Sequence, residues 1–183
     1  MIETKRLLLR QFVESDAEDV FEYLKSPMVN CFECMKLNSI DQAKTEISKR
    51  VKEDCYFAIA LKENNKVIGE IFAHPEGEFP DEAKDTFSPC WMLNEKYHGK
   101  GYAFEAAHAF FDYLFTQKGA RRLYAYTEDY NIPSQKLCEK LGMRQEGLFM
   151  EFISFIKDEN SNPIYENTYQ YAILKKEWEK ING

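Results

Sequence analysis

The chain has 183 residues, 44% of them hydrophobic, and a formal net charge of −7. That length and apolar content allow one domain with a full core and exclude an intrinsically disordered chain. The acidic balance excludes nucleic acid as the main ligand, and no apolar run reaches the roughly 20 residues that span a bilayer.

The opening "MIETKRLLLRQF" lacks an apolar segment ahead of a small-residue cleavage site. It is read as no signal peptide, and the cytoplasm is the expected compartment. Within it, "KRLLLRQF" alternates and predicts a first strand. "ESDAEDVFEYLKS" predicts a helix with Ser15 and Glu18 as a capping box, Val20, Phe21 and Leu24 on its apolar face, and Pro27 as its stop. "SIDQAKTEISKRVKED" predicts a second helix, opened by Ser39 and Gln42, with Ile40, Ala43, Ile47 and Val51 at helical spacing. "CYFAIAL" and "KVIGEIFAH" predict two strands around a turn at Glu63-Asn64-Asn65. A loop rich in Pro, Gly and acids, "PEGEFPDEAKD", precedes a short apolar strand, "FSPCWML".

The next stretch, "YHGKGYAFEAAHAFFDYLF", sets Gly99 and Gly101 around Lys100 at the mouth of a helix. Ala106, Ala107, Phe110, Phe111 and Leu114 share one face of that helix, and Gly119 is its expected C-cap. Glycines expose backbone N–H groups, and a helix N-terminus carries partial positive charge, so the pattern suits a phosphate. It equally suits a tight strand-to-helix turn. A P-loop is excluded because Lys100 is followed by Gly101 and Tyr102, and a dinucleotide fingerprint because Phe104 stands where its third glycine belongs.

"RRLYAYT" predicts another strand, and "NIPSQKLCEKLG" a short helix capped by Asn131, with Pro133 in its first turn and Gly142 at its end. "MRQEGLFMEFISFI" and "YENTYQYAIL" read as a final antiparallel pair joined by "KDENSNP". The order β-α-α-β-β-β-α-β-α-β-β predicts an α/β (α+β) fold. Its central sheet is mixed but mostly antiparallel, of about seven strands, with helices on both faces, and spans one domain, 1–183.

His98-Gly99-Lys100-Gly101-Tyr102-Ala103 resembles the Q/R-x-x-G-x-G/A pyrophosphate loop of the GNAT superfamily of acyl-CoA-dependent N-acetyltransferases, with His98 where the family usually has Gln or Arg. "NIPSQKLCEKLGMRQEG" closely resembles a stretch of the ribosomal-protein N-acetyltransferase (RimJ/RimL-like) branch. The ends "TKRLLLRQF" and "YAILKKEW" look like that branch's termini, so the likeness covers nearly the whole chain.

The resemblance implies a GNAT fold and acetyl transfer from acetyl-CoA, a co-substrate, to a primary amine by direct attack. It implies that residues His98 to Ala103 hold the coenzyme diphosphate, that the backbone of Trp91 and Leu93 pairs with the pantetheine arm, and that Asn131 contacts that arm. It also implies that the Ser134 hydroxyl approaches the cofactor sulfur. Locally, Asn131 reads as a helix cap and Ser134 as an ordinary first-turn residue. Lys100 either neutralises phosphate or sits in solvent.

A general base would take a proton from the acceptor. Glu151 is the first candidate, Glu70 the second; Glu128 and Asp129 also end a strand nearby, and a water chain is a rival. The acceptor is a small-molecule or peptide amine, and Pro27 to Ser39, with Cys31, Phe32, Cys34 and Met35, lines its pocket. A homodimer is left open. The alternative is a non-catalytic acyl-CoA sensor on the same fold.

Cys31, Cys34, Cys55, Cys90 and Cys138 make an odd count and read as free thiols. Cys31 and Cys34 have CxxC spacing, but His74, His98 and His108 are scattered, so no metal is expected. Cys138 faces the packing side of its helix as readily as the groove and is not assigned as a nucleophile.

Overall fold

The computed structural model describes residues 1–76 and 83–183. In chain order it runs β1 (Ile2–Glu3), β2 (Leu7–Arg10), α1 (Ala17–Leu24), α2 (Ile40–Arg50), β3 (Tyr56–Leu61), β4 (Val67–Phe72), β5 (Pro75–Glu76) and β6 (Thr86–Phe87). It continues with β7 (Cys90–Leu93), α3 (Tyr102–Thr116), β8 (Arg122–Glu128), α4 (Ile132–Lys140), β9 (Arg144–Lys157), β10 (Pro163–Leu174) and α5 (Lys175–Asn182). Short 3₁₀ turns cover Glu14–Asp16, Asn30–Met35 and Glu95–Tyr97. No helix among the described residues is long and apolar enough to cross a membrane.

The expected α/β fold with helices on both faces is present, but the strands form two five-stranded sheets rather than one of about seven. The first has the order β1-β2-β3-β4-β7, the second β5-β6-β8-β10-β9. All pairings are antiparallel except β6 with β8. "FSPCWML" is not one strand: Phe87 belongs to the second sheet and Cys90 onward to the first. The break falls at Ser88-Pro89, where proline lacks the N–H that a continuing ladder needs. Residues 77–82 of the expected acidic loop lie outside the described residues.

Strand alternation divides the core. Leu7, Leu9, Phe57, Ile59 and Leu61 point to the side of α3, where Phe110, Phe111 and Leu114 meet them. Ala58 and Ala60 point the other way, against Val20 and Leu24 of α1 and Ala43 and Ile47 of α2. The expected face of α3 is fully buried, and Gly119 takes φ +71° after its end.

Local expectations fail where a tertiary partner intervenes. The Ser15 capping box does not form, because α1 starts at Ala17. Asp16 serves that junction instead, accepting the Val13 N–H at 2.9 Å and a bidentate pair from Arg10 at 2.8 and 2.9 Å. Ser39 does cap α2 through the Gln42 N–H, although Gln42 reaches back to the Asn38 N–H rather than that of Ser39. Val51, expected on the apolar face, is 42% exposed, while its neighbour Arg50 is only 2% exposed. A fifth helix, α5, closes the chain where only a family-like terminus was expected. Its Trp178 is buried against Phe111 and Phe115.

Candidate active site

The chain leaves the first sheet at β7 and enters the second at β8, and residues of both strands line one cleft of ≈1200 Å³. Among the described residues β7 is an edge strand, paired only with β4. The Asn94 N–H bonds to Ile68 O at 2.8 Å, so Asn94 and Met92 face β4. Alternation then turns the backbone N–H and C=O of Trp91 and Leu93 to the open edge. Both residues line the cleft. The His98 ring stands 2.9 Å from the Leu93 carbonyl and so occupies one acceptor of that edge.

At one end of the cleft lies the glycine turn. Gly99 and Gly101 have φ +72° and +81°, a region other residues rarely adopt. A Cβ built on Gly99 would meet nothing within 4 Å. Among the described residues, the N–H groups of residues 99–104 have no backbone acceptor, as the start of a helix requires. This is a cradle of donors facing open space, and it suits a diphosphate. His98, Gly99, Gly101, Tyr102 and Ala103 line the cleft.

Lys100 does not line it: its Nζ donates to Lys96 O at 3.0 Å and lies 5.3 Å from the Tyr97 ring centroid. Sequence reading missed Arg6, which fixes the turn from outside. Arg6 donates to Lys100 O at 3.0 Å, pairs with Glu105 at 2.7 Å, and packs 4.3 Å from the Tyr102 ring centroid. The partners lie about a hundred positions apart, so no local pattern could reveal them.

α4 forms another wall. Asn131 caps it, accepting the Ser134 N–H at 3.3 Å, and its side-chain amide donates to Glu128 at 3.1 Å. Asn131 and Ser134 both face the cleft, together with Glu128 from the end of β8. Opposite them the 3₁₀ turn Asn30–Met35 contributes Cys31, Phe32 and Met35, and the segment before it Pro27, Met28 and Val29. Burial pushes the Cys31 thiol well up, and the nearby Glu128 carboxylate adds to the effect. Cys34 is exposed and points elsewhere, its thiol 3.7 Å from Cys31 O. Cys138 is fully buried in the core, with its thiol pushed up to about 12 by burial.

The structure brings neither first-ranked base candidate into this wall, and both placements are corrections. Glu151 sits on an irregular part of β9 at φ +47°, exposed, its N–H bonded to Asn167 at 2.9 Å. Glu70 is 0% exposed and ion-paired with Arg50, and accepts from Tyr23 at 2.7 Å and Tyr56 at 3.2 Å. Its position on β4 turns it toward α1 and α2, outside the lining of the cleft.

A model of the acetyltransferase (GNAT) domain matches residues 6–144. The chain is 34% identical over 179 residues, 97% of itself and 98% of the relative, to YnaD of Bacillus subtilis (strain 168), described as an uncharacterized N-acetyltransferase. It superposes with a TM-score of 0.82 on a GNAT-family acetyltransferase from Bacillus anthracis, at 31% identity over 96% of this chain and 99% of that one. A ribosomal-protein-S5-alanine acetyltransferase from Vibrio fischeri shares the fold at 20% identity, with a TM-score of 0.71 over 96% of this chain and 97% of that one.

Proposed function

The chain belongs to the GNAT acetyltransferase family, whose chemistry is acyl transfer, and on that premise we propose that it moves an acetyl group from acetyl-CoA to a primary amine by direct attack within a ternary complex. One observation carries the reading: the unpartnered N–H groups of residues 99–104 stand at one end of a cleft whose edge strand, β7, offers free backbone.

In this reading the donors of residues 99–103 hold the coenzyme diphosphate, with His98, whose own N–H goes to Glu95 O at 3.0 Å, beside them, and a side chain at Gly101 is strained at φ +81° and distorts the turn. The edge of Trp91 and Leu93 pairs with the pantetheine amides as another strand would, and Asn131 contacts that arm. The Leu93 N–H stabilises the developing oxyanion, a term of several kcal/mol in acyl transfer, about 2.7–4 for one donor. Ser134 gives a proton to the departing thiolate. Its hydroxyl has no partner among the described residues, which leaves it free for this. The acceptor enters past Pro27 to Met35. We assign the whole of 1–183 to one catalytic domain of the RimJ/RimL-like branch on the strength of the Asn131–Gly147 motif, with a protein N-terminus or a small amine as acceptor.

The test is thiol release from acetyl-CoA with a panel of amines and N-terminal peptides, beside calorimetry of coenzyme A binding. Micromolar binding is expected, about −8 kcal/mol, and loss of it in Gly101→Asp, which strains a backbone at φ +81° and brings a carboxylate to the Arg6 guanidinium that fixes the turn. Unchanged binding in that variant removes the loop from the site; no release with any amine removes the activity.

A further inference from the structure

One carboxylate, Glu128, lines the cleft, and a second, Glu166, lies on the neighbouring strand β10 outside the lining. Glu128 is 4% exposed and Glu166 7% exposed. Neither takes part in an ion pair among the described residues. Burying an ionised carboxylate is costly without a partner. Glu166 meets part of that cost with donors, from Asn30 and from Tyr130 at 3.2 Å. Glu128 has the Asn131 amide at 3.1 Å, with the Cys31 thiol nearby. These donors are all neutral.

A second observation points into the same space. Thr168 is directly opposite Glu128 in the β8–β10 ladder, so their side chains lie on one face, and Glu166 follows two positions away on that face. Thr168 is 4% exposed and lines the cleft, yet its hydroxyl has no hydrogen-bond partner among the described residues. A buried hydroxyl left unpaired next to a buried carboxylate is a position built for a group that supplies both hydrogen bonds and positive charge. An alkylammonium supplies both. The approach to it is apolar, past Phe32, Met35, Phe152 and Phe155.

We infer that Glu128 is the proton acceptor for the incoming amine, with Thr168 completing an ammonium subsite that selects a primary amine on an apolar stem. The assignment rests on the acetyl-transfer reading above. The ammonium nitrogen gives one proton to the Glu128 carboxylate. Its freed lone pair then forms the C–N bond to the thioester carbonyl carbon. As the C–S bond breaks, the thiolate leaves with the bonding pair and takes, through Ser134, the second proton that the nitrogen sheds. Glu128 returns its proton to solvent, so each turnover releases one amide, one thiol and one proton. An amino acid, with its own carboxylate beside the ammonium, is repelled by Glu128.

The groups facing Glu128 are Asn131 from α4, Cys31 from the 3₁₀ turn, Cys90 from β7, and Tyr130 and Glu166 from the neighbouring loop and strand. Burial pushes the Cys90 thiol up to about 12 and holds Tyr130 above its ordinary value. Neither thiol nor phenol therefore supplies a base near neutrality.

Glu128→Gln keeps an acceptor oxygen for Asn131 and removes only the charge and the proton affinity. Thiol release from acetyl-CoA is followed across pH with n-butylamine, glycine and methoxyamine, whose nitrogen is already neutral at pH 7. The expected result is a fall of about 10²–10⁴-fold in kcat/KM for butylamine, under tenfold for methoxyamine, and unchanged coenzyme A affinity. Thr168→Val, which removes a hydroxyl without a protein partner, raises KM for butylamine several-fold in a folded enzyme.

Wild-type activity in Glu128→Gln, an equal loss for butylamine and methoxyamine, an unchanged KM in Thr168→Val, or a preference of the wild type for glycine each overturns the assignment while leaving acetyl transfer standing. A wild type that releases no thiol with any amine overturns both.

Discussion

Gly69 sits in the middle of β4, where its neighbour across the ladder is Leu93 of β7. A Cβ built there would stand 2.3 Å from Met92 O and 2.9 Å from both Leu93 Cα and Leu93 Cδ1. The first two are backbone atoms and cannot swing aside as a side-chain tip can. Restoring ordinary contact to Met92 O needs β7 to withdraw by about 1 Å, enough to break ladder hydrogen bonds that begin near 2.9 Å. Gly69→Ala therefore costs about 1–3 kcal/mol of stability, the usual scale of overpacking. It does so at the strand whose free edge carries Trp91 and Leu93. Coupled with the proposed pantetheine pairing, the same shift raises the Kd for acetyl-CoA about tenfold or more, because a 1 Å misplacement at a reacting site is costly. Urea denaturation measures the first effect and calorimetry the second. Wild-type stability in the alanine variant would show that β7 does not approach β4 this closely. Lost stability with wild-type coenzyme affinity would detach the β7 edge from cofactor binding.

Three further perturbations separate scaffold from chemistry. Arg50→Met strands the Glu70 carboxylate at 0% exposure and should cost about 3–5 kcal/mol in chemical denaturation, with partial recovery when Glu70→Leu is added; a neutral single variant refutes the structural role of that pair. Ser134→Ala should lower kcat by about 10²-fold, the low end for a general acid with a good leaving group, at unchanged acetyl-CoA affinity; a wild-type kcat removes Ser134 from the chemistry, and a raised KM with intact kcat makes it a binding residue. Glu22 is held at about 2 by hydrogen bonds from Lys96 and then Lys66. Its folded value lies below the ordinary 4.5, so its contribution is full above that value and fades as pH falls toward 2. Glu22→Gln should flatten the acid side of a stability-pH curve between those limits, and parallel curves for the two proteins refute the linkage.

Much of this molecule was legible because its signals are local. The period of apolar residues located α3 and its buried face, Ser39 and Asn131 announced two helix starts, and Gly99 and Gly101 marked a turn that needs positive φ. Such features depend on residues within a few positions of each other, and the physics that sets them acts over the same range. The tertiary structure decided what depended on distant partners. It split the sheet at Ser88-Pro89 and lined one cleft from both sheets. It buried Arg50 in place of Val51, because Glu70 on another strand offered an ion pair. It drew Glu70 and Glu151 away from the cleft and left Glu128 in it, since a carboxylate's surroundings are set by the strands and turns that pack against it. Two glutamates in similar strand contexts read alike in sequence; which one meets an arginine and which meets an empty cleft is fixed only when the sheets assemble.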